Sequence, residues 1–249
     1  MKKVALLLGV FAVSLFGTAQ TVSVELTPEQ YKKIKNRVID EYDNYQADHR
    51  DWAFFSAYAD DNAKLKKAPL GVMMGNSITE GWYNQDSAFF KKYNLVGRGI
   101  SGQTSSQMLV RFRQDVINLK PKFCLIMAGI NDIGLNNGQI TLENILGNIQ
   151  SMCELSKCNG IRPIICSVTP SNHIGWRPQV KEVSKKVTTL NTMLKAYAKK
   201  NKIQYIDYYS SLVGENGSYK KGYSNDDVHP VLDAYKVMEN ILIKDLKLK

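Results

Sequence analysis

The chain has 249 residues, of which 44% are hydrophobic, 10% aromatic and 22% charged. This balance excludes a disordered, collagen-like or multispan membrane chain and fits a soluble globular protein. Lys and Arg outnumber Asp and Glu by 33 to 23, for a formal net charge of +10, but they spread over many faces, as at Lys185-Lys186 and Lys199-Lys200, so no nucleic-acid partner is expected.

Lys2 and Lys3 precede an apolar run over 4–16, and Gly17-Thr18-Ala19 supplies small residues for cleavage. This pattern predicts a signal peptide over 1–19, with the mature chain starting at Gln20. Thirteen residues rising about 1.5 Å each cover roughly 20 Å, short of a hydrocarbon core of about 30 Å, so the segment does not read as a membrane anchor. An exported protein, periplasmic or secreted, without stable membrane insertion is expected. No cysteine near the cleavage point offers a lipid-attachment site.

A helical extension is expected over 20–67. Thr27-Pro28-Glu29-Gln30 has the form of a capping box, and Tyr31, Ile34, Val38, Tyr42 and Tyr45 follow at helical spacing. Trp52, Phe55 and Ala59 continue an amphipathic pattern toward Asn62. From residue 68 the period changes, with short apolar runs at 70–74, 94–96, 123–128, 161–168 and 203–206. Between them lie helical patterns such as Met108, Phe112, Val116 and Leu119, or Val180, Val183, Val187, Leu190, Leu194 and Tyr197. A last helix runs through Tyr235, Met238 and Leu242. The alternation predicts one α/β domain over 68–249, a three-layer α/β/α arrangement around a mainly parallel five-stranded sheet of flavodoxin-like type. Ligands bind such sheets beyond the carboxyl ends of the strands.

Four blocks stand at or near those ends: Gly75-Asn76-Ser77-Ile78-Thr79, Gly99-Ile100-Ser101-Gly102, Gly129-Ile130-Asn131-Asp132 and, before the last helix, Asp226-Asp227-Val228-His229. Together they resemble the SGNH hydrolases, also called GDSL esterases or lipases, over roughly residues 70–245. Asp51-Trp52 through Asn62-Ala63-Lys64-Leu65 is similar to the lead-in of a bacterial exported subgroup. The resemblance implies a serine esterase with Ser77, His229 and Asp226 as catalytic residues. Its implied oxyanion hole comprises Ser77, Gly102 and Asn131.

The residue chemistry leads to the same roles. A serine hydroxyl needs a base, and a neutral imidazole oriented by a carboxylate supplies one, which assigns His229 and Asp226 to Ser77. Backbone N–H groups of Ser77 and Gly102 and the Asn131 amide can donate to the oxyanion, with the missing side chain of Gly102 leaving room for it. Each block alone has an ordinary structural reading, a helix cap for Ser77 and a turn for Asn131-Asp132. Their joint occurrence favours the catalytic one. Asn76 departs from the Asp usual before the nucleophile in this family, a change expected to modify geometry or pH dependence without abolishing activity.

Trp82, close behind the nucleophile block, and His173, Trp176 and Arg177, in the loop after the fourth strand, are candidate substrate-binding residues. No cofactor or metal is expected. The four cysteines (Cys124, Cys153, Cys158, Cys166) have neither disulfide-scaffold nor zinc-site spacing. Gly97-Arg98-Gly99-Ile100-Ser101-Gly102 mimics a dinucleotide fingerprint, but the acidic residue about 20 positions further on is replaced by Lys120-Pro121-Lys122-Phe123. The expected substrate is a small ester, foremost a small O-acyl group on a carbohydrate. A lysophospholipid or other lipid ester is the alternative within the same chemistry, and a non-catalytic acyl-glycan binder is the alternative outside it.

Overall fold

The computed structural model describes residues 26–49 and 51–248, so the signal-peptide expectation for 1–19 lies outside the described residues. The chain divides into two compact units, one ending at Trp52 and one running Ala53–Lys249. The first holds helix α1 (Pro28–His49). Its start is the expected capping box: Gln30 N donates to Thr27 Oγ1 at 3.2 Å and Thr27 N to Gln30 Oε1 at 2.9 Å, which satisfies two donors that lack a preceding turn.

The second unit opens at Ala53, ahead of the sheet. Phe54 takes a left-handed backbone conformation (φ 55°), and a 3₁₀ turn over Phe55–Tyr58 leads into α2 (Ala59–Lys64). Polar bonds fix this segment to the sheet layer. Asn62 Nδ2 donates to Asp115 Oδ1 at 2.8 Å, Arg98 Nε donates to Asn62 Oδ1 at 2.8 Å, and the Tyr58 hydroxyl donates to Gly99 O.

The sheet comprises β1 (Gly71–Asn76), β2 (Leu95–Ile100), β3 (Phe123–Ile126), β4 (Arg162–Cys166) and β5 (Gln204–Ile206). It is wholly parallel in the order β2-β1-β3-β4-β5. Parallel neighbours require crossovers, and here these are α3 (Ser77–Gln85), α4 (Ser87–Lys92), α5 (Ser105–Asp115), α6 (Ile130–Ile133), α7 (Leu142–Cys158) and α8 (Val183–Lys200). After β5 come α9 (Tyr209–Leu212) and α10 (Leu232–Leu246). All six residues of β1 are buried, as expected for a strand covered on both faces. Helix α8 contributes Val183, Val187, Leu190, Leu194 and Ala198 to the core as one stripe. Each such aliphatic side chain larger than alanine stabilises the fold by roughly 1.5–3 kcal/mol on burial.

Strand β2 is longer than the apolar run at 94–96 suggests because Gly97, Arg98 and Gly99 interrupt the pattern without ending the strand. A Cβ on Gly99 would lie 2.3 Å from Glu80 N and 2.5 Å from Asn76 O, so glycine permits the first turn of α3 to lie against the strand. The first two glycines of the G-x-G-x-x-G string are therefore interior strand positions. Of the cysteines, Cys124, Cys153 and Cys166 are buried and Cys158 is exposed, all as free thiols. Among the described residues no helix is long and apolar enough to cross a membrane.

Candidate active site

The strand order reverses between β1 and β3, so the connections leaving their carboxyl ends run in opposite directions, the place where open α/β sheets bind ligands. Strand β1 runs directly into α3, which makes Ser77 the first residue of that helix. The cap falls to Asn76, whose Oδ1 accepts from Ile78 N at 3.0 Å. Ser77 Oγ is thereby spared from capping and lies 2.8 Å from His229 Nε2. Asn76 is 2% exposed, a place where a carboxylate would incur a large desolvation cost. The amide supplies the cap acceptor without that charge.

His229 Nδ1 is 2.6 Å from Asp226 Oδ2. Asp226 Oδ1 also accepts the backbone N–H groups of His229 at 2.8 Å and Val228 at 3.0 Å. Burial pushes the Asp226 carboxyl up, but the hydrogen bonds from the His229 backbone, its ring and Val228 outweigh it and hold the group at about 2. An ionised Asp226 selects the tautomer with the proton on Nδ1 and leaves the Nε2 lone pair facing Ser77 Oγ. The adjacent Asp227 does different work. Its backbone is left-handed (φ 62°), and its carboxylate accepts Asn172 N at 2.6 Å and Tyr219 N at 3.0 Å. It fastens the loop after β4 to the turn that carries His229.

Gly102 follows β2 with φ +76°, and a Cβ there would meet only Asn136 Nδ2 at 3.9 Å. Its glycine is thus needed for the backbone conformation more than for space. Asn131, in α6 after β3, is 1% exposed and donates through Nδ2 to Gln103 O at 3.0 Å. An amide has two N–H donors, so this bond orients the group and leaves the second for a ligand. Next to it, Asp132 accepts the Ser105 hydroxyl at 2.6 Å and the Ser105 N–H at 3.0 Å. Burial raises the Asp132 carboxyl against the lowering pull of these bonds. The contact joins α6 to the start of α5 and so sets Asn131 against the Gly102 loop.

Beneath the site lies a buried cluster that the sequence reading missed. Arg111, fully buried, donates to Gln103 Oε1, to Asp115 Oδ2 at 2.8 Å, and to the carbonyls of Gly75 and Arg98 at 3.0 Å each. It ties the ends of β1 and β2 together directly below Ser77 and Gly102. The available signal was Arg111 and Asp115 four apart on a helix whose Met108 and Phe112 face the core.

Trp82 is corrected. It is fully buried, stacked on Tyr235 with ring centroids 5.5 Å apart, and donates from Nε1 to Glu239 Oε1 at 3.1 Å. Five residues along a helix rotate it about 140° away from Ser77, so it joins the core and not the rim. Glu80, three residues along, returns toward the nucleophile's face and accepts Ser101 N at 2.8 Å. The loop after β4 does carry exposed His173, Trp176 and Arg177. The Trp176 ring lies 6.2 Å from that of His229, centroid to centroid. His173 Nδ1 lies 3.5 Å from Asp227 Oδ2.

Residues 73–237 match the model of the GDSL-like lipase/acylhydrolase family. The structure is similar to that of a candidate acylhydrolase from Bacteroides fragilis NCTC 9343, 46% identical, with a TM-score of 0.77, over 80% of this chain and 99% of that one. It is also similar to a GDSL-like lipase from Bacteroides thetaiotaomicron VPI-5482, 43% identical, with a TM-score of 0.76, over 78% and 98% of the two chains. An uncharacterized lipoprotein of Bacillus subtilis (strain 168), YqeF, is 31% identical over 80 residues, 31% of this chain and 33% of that protein. The match thus spans about a third of that relative's length.

Proposed function

Since the chain belongs to the GDSL-like lipase/acylhydrolase family and is an ester hydrolase of the SGNH type, we propose that Ser77, His229 and Asp226 are its catalytic residues. The observation that carries this reading is the continuous hydrogen-bonded line from Ser77 Oγ to His229 Nε2 at 2.8 Å and from His229 Nδ1 to Asp226 Oδ2 at 2.6 Å. Ser77 Oγ attacks the ester carbonyl as its proton passes to His229 Nε2. The oxyanion accepts hydrogen bonds from the N–H groups of Ser77 and Gly102 and from the Asn131 amide. On collapse, His229 protonates the departing alcohol oxygen and an acyl-Ser77 remains. Water then attacks the acyl carbon, gives its proton to His229, and the carboxylic acid leaves as Ser77 recovers its proton.

The proposed substrate is a small O-acyl ester of a carbohydrate, met by an exported enzyme. Supporting this, the His229 and Asp226 side chains are 39% and 52% exposed, so a bulky alcohol can approach the leaving-group side. The loop after β4, fastened to Asp227 through Asn172 N, exposes the polar groups Asn172, His173 and Arg177. A series of nitrophenyl esters from acetyl to dodecanoyl, with acetylated sugars and a lysophospholipid, tests the assignment. Turnover is expected to be highest on acetyl esters and to include the acetylated sugars. A preference for long chains or for the lysophospholipid would make the enzyme a lipid-ester hydrolase instead, and no turnover at all would favour a binding protein.

A further inference from the structure

We propose that Trp176 is the platform for the alcohol half of the ester, a carbohydrate ring, and that Asn136 is a positioning residue that couples this platform to the oxyanion loop. The inference rests on the assignment of Ser77 and His229 as nucleophile and proton carrier. Because His229 must protonate the leaving oxygen, the departing alcohol lies beside the imidazole. Trp176 is the aromatic side chain beside that imidazole, its ring tilted 32° to it. At 43% exposed, it still offers apolar ring surface to a ligand. The carbon-bound hydrogens of a pyranose face suit such a surface, while the exposed amides and imidazole around it suit the hydroxyls.

The loop is held for this task at both ends. Asp227 accepts Asn172 N at one end, and Ile174 is buried between. At the other, Trp176 Nε1 donates to Asn136 Oδ1 at 2.9 Å, and Asn136 Nδ2 donates to Gly102 O at 2.9 Å. A single amide therefore uses its acceptor toward the platform and its donor toward the oxyanion loop, which fixes its orientation. The backbone N–H of Asn136 also donates to Asn131 O at 3.0 Å, so the residue touches both loops that supply oxyanion donors. Gly102 has no side chain to anchor it, and its carbonyl bond to Asn136 restrains the swing of the N–H group that meets the developing charge. A sugar seated on Trp176 would press on the same linkage, which places binding energy from a remote part of the substrate at the reacting centre.

Steady-state kinetics on ethyl acetate and on an acetylated methyl hexoside test both parts, with folding checked by circular dichroism. Trp176→Ala is expected to raise KM for the hexoside about tenfold and to leave KM for ethyl acetate within twofold. Asn136→Ala is expected to lower kcat on both esters by about 3- to 10-fold with KM little changed. Trp176→Phe keeps the ring but loses the N–H, so it should preserve KM for the hexoside and lower kcat. Combined with Asn136→Ala, it should lower kcat no further than Asn136→Ala alone. Equal KM changes on the two esters for Trp176→Ala would overturn the platform. Unchanged kcat in Asn136→Ala, or effects that multiply in the double variant, would overturn the coupling. If wild-type protein failed to react with a fluorophosphonate at Ser77, the underlying assignment would fall first, an outcome distinct from both.

Discussion

Replacing Asn131 by alanine separates oxyanion stabilisation from substrate binding. The wild-type amide gives one N–H to Gln103 O at 3.0 Å, and the proposed oxyanion role uses the other. Alanine removes both. Leaving the Gln103 carbonyl without this partner costs about 1–3 kcal/mol of stability, or roughly 2–12 °C in Tm for a domain of this size. The neighbouring Asp132–Ser105 contacts remain to keep α6 in place, so the variant should fold. Loss of one oxyanion donor lowers kcat by about 10²- to 10³-fold, roughly 2.7–4 kcal/mol of transition-state stabilisation. KM should change little, because a ground-state carbonyl accepts the bond more weakly than an oxyanion does. The assay is kcat and KM on an acetyl ester at 25 °C, well below the measured Tm of each protein. Unchanged kcat with a much larger KM would refute the assignment and make Asn131 a ground-state binding residue.

Asp226 contributes to the acid side of the stability profile. Its carboxyl drops from an ordinary value of 3.8 to about 2 on folding, so its stabilisation is present above about pH 4 and is lost as pH falls through 2. Asp226→Asn should remove that dependence from acid-denaturation curves and lower kcat by about 10⁴-fold through loss of the productive tautomer. An unchanged acid curve would contradict the first part. Arg111→Met leaves the buried Asp115 charge without its ion-pair partner and should cost about 3–5 kcal/mol, read as a fall of roughly 6–20 °C in Tm. A loss below about 1 kcal/mol would show that the cluster under the site adds little stability. Trp82→Phe deletes the hydrogen bond to Glu239 and should destabilise by about 1–3 kcal/mol with kcat and KM unaltered. A raised KM at wild-type stability would return Trp82 to the substrate rim.

What the sequence made legible were features expressed over short range or in residue type. Apolar runs closed by glycine located β1 and β3, and Asp226 three residues before His229 placed both on one turn. The strand-end rule then brought Ser77, Gly102 and Asn131 to one side of the sheet. Less legible were features set by long-range packing. Strand β2 hid behind two glycines that admit α3 and an arginine whose guanidinium donates to Asn62 Oδ1, 36 residues away. The burial of Arg111 has little local signature, because two of its acceptors are the backbone carbonyls of Gly75 and Arg98, which residue type does not reveal. Nearness in sequence to Ser77 suggests a rim position for Trp82, but helical rotation carries its side chain into the core. The bridge from Trp176 through Asn136 to Gly102 joins three separate loops and has no local signature.

The central claim, that Ser77 is a nucleophile activated by His229, is tested most directly by intact-protein and peptide mass spectrometry after treatment with a fluorophosphonate. Ser77 Oγ should displace fluoride and take up one phosphonyl group, with the modified peptide containing Ser77 and no other labelled serine. Labelling should vanish in Ser77→Ala and slow sharply in His229→Ala. Labelling elsewhere, or at an undiminished rate in His229→Ala, would contradict the account.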